Sequence, residues 1–421
     1  MKRRTVLLGG AGALAAGALI LRPSDQGVSH NQYFSDLNDL LKRSGPGRPV
    51  MLIDLNRMNY NIDALVDSVG PDKTYRIVVK SLPSVELVEH VMNRASTNAL
   101  MLFHQPFINI VAEMIPQADV LIGKPMPVAA AATFYRKYQE SSNHAFDPSK
   151  QLQWLIDAPE RLAQYQQLAR QLGIQIRVNL EIDVGLHRGG LPDISALPPI
   201  LEVIQNDPKH LVLGGFMGYE PHLTGMEATL EHEEVKSVLS IYRGFVENAR
   251  NAGVDVNQLT LNGAGSHTLR IYERDNTMND LSAGSGVVKP LDFDTFHLTD
   301  NKPALFIGTP ILKRYDSLQV PVMPLAGKLL STWDPNRERL YYVYGGFWKA
   351  HIVSPSGVPD ALFHSTNQEP VSTSHSVDLK VDDYMFLRPT QSEFVMLQFG
   401  DLLIVKDSDI VDRWPVFQET G

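Results

Sequence analysis

The sequence predicts an α/β fold, a (β/α)8 barrel of the TIM type followed by a C-terminal mostly-β domain. Three observations carry that prediction. From about residue 50 to residue 290, short apolar runs alternate with amphipathic stretches, the pattern of parallel strands joined by helical crossovers. Eight such runs can be counted, which suits a closed barrel better than a doubly wound open sheet, and no G-x-G-x-x-G follows the first of them. After about residue 300 the texture changes to LYYVYGGFW, AHIVSPSG, DYMFLRPT, FVMLQFG and DLLIVKD, strand-length pieces with turn residues and little helical period.

In order, the expected strands are VMLIDL (50–55), TYRIVVK (74–80), NALMLF (98–103), ADVLIG (118–123), QLQWLID (151–157), IQIRVNLEID (174–183), HLVLGGFMGY (210–219) and QLTLNGAG (258–265). Helical patterns lie between them, as in PERLAQYQQLARQLG, where Pro159 suits the first turn and Gly173 the stop. The division expected is residues 1–25 as an export signal or anchor, 26–47 as a segment packing on the barrel or the β-domain, 48–300 as the barrel and 301–421 as the β-domain.

The chain has 421 residues and a net charge of −9, which disfavours nucleic-acid binding. It has no cysteine, and so no disulfide, thiolate metal site or cysteine nucleophile. Lys2, Arg3 and Arg4 precede an apolar run from Val6 to Leu21, broken by Pro23. This resembles a twin-arginine signal, whose export machinery handles folded, cofactor-loaded proteins. A periplasmic location is expected, with the segment either cleaved or kept as a membrane anchor.

Barrel catalytic groups sit where strands end and loops begin. Lys80 stands at such a point. So do Asp183, His187 and Arg188 in EIDVGLHRGG, Tyr219, Glu220 and His222 in GYEPH, and Asn262, Gly263, Gly265 and Ser266 in LNGAGS. Each has a plain alternative. Lys80 can be a solvated strand-end lysine, Arg188 can pair with Asp183 at the surface, the glycines can mark an ordinary turn, and Tyr219 and His222 can be satisfied core-edge residues. Together they match what pyridoxal phosphate requires: an amine for a Schiff base, backbone donors for a phosphate, and a partner for the pyridine nitrogen. An arginine in that last role leaves the ring nitrogen unprotonated.

The stretches VMLIDLNRMNYNI, RIVVKSLPS, EIDVGLHRGG, GGFMGYEPH, LNGAGSHT and LSAGSGVV resemble, in order and approximate spacing, one known group. It is the D-threonine aldolase and eukaryotic-type D-serine dehydratase group of the alanine-racemase-like, fold type III pyridoxal-phosphate enzymes. The resemblance spans about residues 48–290 and weakens beyond. It implies that Lys80 forms the Schiff base, that Arg188 stands at the pyridine ring, and that Tyr219 lies in the cofactor pocket. Gly263, Gly265, Ser266, Gly284 and Ser285 then form the phosphate site, and His375 matches a histidine of the β-domain. It also implies a homodimer and a small amino-acid substrate.

The departures bear on the reaction. Ser81, Leu82 and Pro83 replace the group's T-H-K after its lysine, and RPTQSEF stands where the group places a histidine-centred metal site. Gln391 and Glu393 offer oxygen donors there, suited to magnesium or manganese rather than zinc. The leading expectation is a lyase acting on a D-amino acid, above all a β-hydroxy one, by retro-aldol cleavage or dehydration, with His222 or His375 as the base for the hydroxyl. The alternatives left open are an amino-acid racemase, with Tyr341, Tyr342 or Tyr344 as a second base, and a non-catalytic pyridoxal-phosphate-binding protein.

Overall fold

The computed structural model describes residues 22–225, 227–318 and 324–418. The export signal or anchor expected over residues 1–25 lies, up to residue 21, outside the described residues. The chain divides into two compact units.

In the order of the chain, β1 (Val50–Asp54) is followed by β2 (Thr74–Val78), β3 (Ala99–Leu102), β4 (Asp119–Ile122) and β5 (Leu152–Ile156). Then come β6 (Ile176–Glu181), β7 (Leu211–Met217), β8 (Thr260–Gly263) and β9 (Asp280–Ala283). The strands β2 to β9 form a closed eight-stranded parallel barrel, as the sequence predicts. One strand of the expected eight differs. VMLIDL forms β1, which lies beside β10 (Leu305–Tyr315) in the other sheet, and β9 closes the barrel between β8 and β2. The physical reason is that β9 reads Asp-Leu-Ser-Ala and lacks an apolar run. All four residues are buried, and the polar ones enter the barrel interior.

There Arg76 makes two bonds from Nε to Asp280, at 2.9 and 3.1 Å, and one from Nη2 at 2.8 Å. It also reaches Asp119 at 2.9 Å and the carbonyls of Leu100 and Asp119. Burial works against its charge, but Asp280 and Asp119 outweigh that and hold the guanidinium protonated. Asn262 completes the network by donating to Asp280 at 2.6 Å and to Ser282 at 2.8 Å. A separate interior cluster is apolar: Met101, Leu121, Leu155 and Met217, with Val78, Phe103 and Tyr219 packed on it.

The β unit is antiparallel. β10 pairs with β11 (Arg339–Tyr344) and β14 (Tyr384–Pro389), β11 with β13 (Gln368–Thr373), and β14 with β12 (Ala350–Ser354). Its core includes Ile311, Tyr341, Val371 and Met385. The helix Gln32–Ser44, capped by the Asn31 side chain, buries Phe34, Leu37, Leu40 and Leu41. It is tied to β14 by a bond from the Tyr384 N–H to Asn38 at 2.8 Å, and to Asp383 by Lys42 at 2.6 Å.

The tail is shared between the units. Gln391–Lys406 and residues 411–418 group with the barrel, whereas the sequence predicts the whole of 301–421 as one C-terminal domain. Two contacts show why: the Phe417 N–H donates to the Pro83 carbonyl at 2.9 Å, and the Trp414 ring stands 5.5 Å from that of His90.

Candidate active site

β2 stops at Val78, and Val79–Ser81 makes a single 3-10 turn that turns Lys80 out at the end of the strand. Leu82 and Pro83 follow and are buried, so the departure from the resembled motif packs inward. Ser84 then caps the helix Val85–Ala95 by accepting from the Leu87 N–H. The Lys80 side chain is 35% exposed, and its Nζ donates to Glu393 Oε1 at 2.6 Å. It also stands 5.1 Å from the centroid of the Phe103 ring, a cation–π contact. Lys80, His104, Phe107, Glu393, Phe394 and Leu397 line one small hollow. Burial, then the charges of Lys124 and Lys80, lower the pKa of His104 against an opposing effect of Glu393, which favours a neutral imidazole.

The ends of β8 and β9 converge on the same turn. After Gly263, Ala264 takes a left-handed φ of 68°. The Ser266 Oγ accepts from the N–H groups of Gly284 at 3.1 Å and Gly286 at 3.0 Å, locking the two loops together. Ser285 donates to Ser81 at 2.9 Å, which joins them to the Lys80 turn. Gly284 permits this approach, since a Cβ there would lie 2.5 Å from the Val78 carbonyl oxygen. Among the described residues, the backbone N–H groups of Ser266, His267 and Ser285 have no partner in the protein. Such a cluster at turning backbone is the donor set an anionic group requires.

Tyr219 packs against this loop. A Cβ on Gly265 would fall 2.9 Å from its ring, and the Arg188 guanidinium lies 5.1 Å from the ring centroid. Arg188 does not pair with Asp183. That carboxylate accepts from the His187 imidazole at 2.8 Å and from the N–H groups of Gly185 and His187, both at 3.0 Å. His222 is exposed and lies against Gly185. Burial and the neighbouring His187 lower its pKa, with Asp183 opposing. His375 belongs to the β unit, where its ring nitrogen is 3.9 Å from Glu338.

Two residues of the site could not be given these places from sequence. Glu220 is fully buried and accepts from the Thr268 hydroxyl at 2.6 Å, so it braces the glycine loop from beneath. Burial raises its carboxyl to about 7, against hydrogen bonds from Thr268 and the Ala264 backbone. Glu393 was expected as a metal ligand, and its carboxylate is instead on Lys80. Gln391 donates to Asp292 at 3.2 Å, and no group of three His, Asp or Glu side chains able to hold a metal occurs among the described residues. The oxygen donors expected to hold a divalent metal, Gln391 and Glu393, are thus engaged by Asp292 and Lys80 respectively.

The site thus sets an amine at a strand end, on a turn joined through Ser81 and Ser285 to loops with partnerless backbone donors. Residues 53–288 match the family described as alanine racemase, N-terminal domain, and the chain belongs to it, among the fold type III pyridoxal-phosphate enzymes. No curated protein matches the chain. Solved structures do. D-threonine aldolase from Filomicrobium marinum has a TM-score of 0.67 at 14% identity, over 88% of this chain and 96% of its own. D-threo-3-hydroxyaspartate dehydratase from Delftia sp. HT23 gives 0.66 at 14%, over 88% and 98%. Alanine racemase from Clostridium difficile 630 gives 0.62 at 15%, over 87% and 98%. At these identities the likeness is one of fold.

Proposed function

We propose that the protein is a pyridoxal-phosphate-dependent lyase acting on a D-amino acid with a β-hydroxyl. The observation that carries the reading is the Lys80 amine standing at the strand end beside the interlocked 264–268 and 284–286 loops. Pyridoxal phosphate supplies an aldehyde that condenses with amines and a conjugated ring that takes up electrons released at Cα. Lys80 is the residue that would hold that aldehyde, and its amine, when not so engaged, would carry a proton to or from Cα. The N–H groups of Ser266, His267 and Ser285, with the Ser266 hydroxyl proton, would hold the phosphate. Tyr219 would wall the cofactor pocket, and Arg188 would serve the ring nitrogen as a permanent cation that does not protonate it.

The lyase side is supported by two of the similar solved structures, a D-threonine aldolase and a D-threo-3-hydroxyaspartate dehydratase, since D-threonine and D-threo-3-hydroxyaspartate are both β-hydroxy D-amino acids. The racemase reading needs a free tyrosine base. Of its candidates, Tyr341 is buried with its hydroxyl donating to the Val377 carbonyl at 2.9 Å, a structural use. We place the enzyme in the periplasm as a homodimer, on its signal-like first residues and its family resemblance. The test is to record absorption with pyridoxal phosphate for wild type and Lys80→Ala, then analyse products from D- and L-amino acids. A lysine-dependent band with glycine and acetaldehyde from D-threonine, or pyruvate from D-serine, supports the reading. A wild type without the band ends it, chiral inversion alone makes the protein a racemase, and a band with no turnover makes it a binding protein.

A further inference from the structure

We infer that Glu393 is the base that takes the proton from the substrate's β-hydroxyl, in place of a divalent metal. This rests on the lyase reading above and adds the group that acts at Cβ.

The geometry begins with the amine. Glu393 Oε1 is 2.6 Å from Lys80 Nζ, so the carboxylate marks the place from which any amine bound in that hollow is reached. When the substrate's amine takes the lysine's place on the cofactor, its β-oxygen is three bonds from that nitrogen. A staggered gauche rotamer returns it to hydrogen-bond range of a carboxylate already on the amine. Besides Lys80, the hollow presents His104 to Glu393, with Phe107, Phe394 and Leu397 as apolar walls, and the Tyr219 phenol lies within range of the Glu393 charge. Glu393 opens the short helix Glu393–Leu397, while Gln391 is turned away to Asp292. The segment that resembles a metal-binding stretch thus brings one carboxylate to the Lys80 amine and, among the described residues, belongs to no cluster of three His, Asp or Glu side chains.

The step balances. Glu393 takes the hydroxyl proton, and the O–H electron pair becomes the second C–O bond as Cα–Cβ breaks. Cβ leaves as an aldehyde. The electron pair of the broken bond stays at Cα, where the conjugated ring of a bound cofactor would take it up, and Lys80 returns one proton there as the amino acid is released as glycine.

The experiment compares wild type, Glu393→Gln and Glu393→Asp. Carbodiimide coupling of the cofactor-free wild type, followed by peptide mass spectrometry, should give a Lys80–Glu393 cross-link that pyridoxal phosphate suppresses. The lysine-dependent band should form in all three proteins. D-threonine cleavage should survive a chelator, fall about 10²- to 10⁴-fold in Glu393→Gln, and recover in part in Glu393→Asp. A missing cross-link, activity abolished by the chelator, or a Glu393→Gln rate within about threefold of wild type overturns the assignment. If the band forms but wild type cleaves no β-hydroxy amino acid, this inference falls while the cofactor site stands. With no band in wild type, both fall together.

Discussion

Glu220 offers a prediction whose size follows from its surroundings. Its carboxyl is fully buried beneath the glycine loop and raised from 4.5 to about 7, chiefly by desolvation. Thr268 donates to it, and the phenols of Tyr219, Tyr242 and Tyr272 lie within range of its charge. Burial first, and nearby carboxylates including Glu220 after it, push those phenols upward. Below pH 4.5 both folded and unfolded chains carry the proton, and the site costs nothing. As pH rises the unfolded chain releases it and the folded chain does not, so the folded state binds more protons and stability falls. The loss is complete above pH 7. Since a tenfold change in proton affinity is worth about 1.4 kcal/mol, its size is on the order of 3 kcal/mol. Glu220→Gln keeps an acceptor for Thr268 and has no charge to bury. Urea unfolding of both proteins at pH 4.5 and pH 7 should show wild type losing roughly 3 kcal/mol more than the variant over that interval. Parallel stability curves would refute the reasoning.

Other outcomes follow from the same geometry. Gly284→Ala places a Cβ 2.5 Å from the Val78 carbonyl oxygen, where backbone must yield, so titration of the cofactor-free protein should show pyridoxal phosphate bound about tenfold or more weakly. Arg76→Met strands Asp280 inside the barrel and should cost about 3–5 kcal/mol in urea unfolding, part of it restored by adding Asp280→Asn. Lys80→Ala should leave that stability within about 1 kcal/mol of wild type while removing the cofactor band, because its pair with Glu393 is partly solvated.

How much of this the residues disclosed depended on where the determining contact lay. The strand ends carrying Lys80, Tyr219 and the 263–266 loop were legible because apolar runs and turn residues mark them locally. β9 was not, since Asp280 and Ser282 are polar for the sake of Arg76 and Asn262, partners from other strands. With VMLIDL counted in its stead, Lys80 was placed after a second strand when it follows the barrel's first. The surface pair of Arg188 with Asp183 gave way to His187, whose left-handed φ of 57° brings its ring back to the carboxylate. Glu393 was singled out for its oxygen atoms, but its partner is 313 residues away, a separation that no local pattern encodes.

The return of the chain's last stretches to the barrel unit has a consequence for synthesis. A ribosome that has completed β2 to β9 and the 284–286 turn has made the Lys80 amine and the loops beside it, but neither Glu393 nor the Phe417 N–H that fastens onto Pro83. Nascent chains at that stage display Lys80 without its carboxylate. Closure of the barrel therefore precedes the Lys80–Glu393 pair during synthesis, and the amine meets its counter-charge only as a late addition to a finished scaffold.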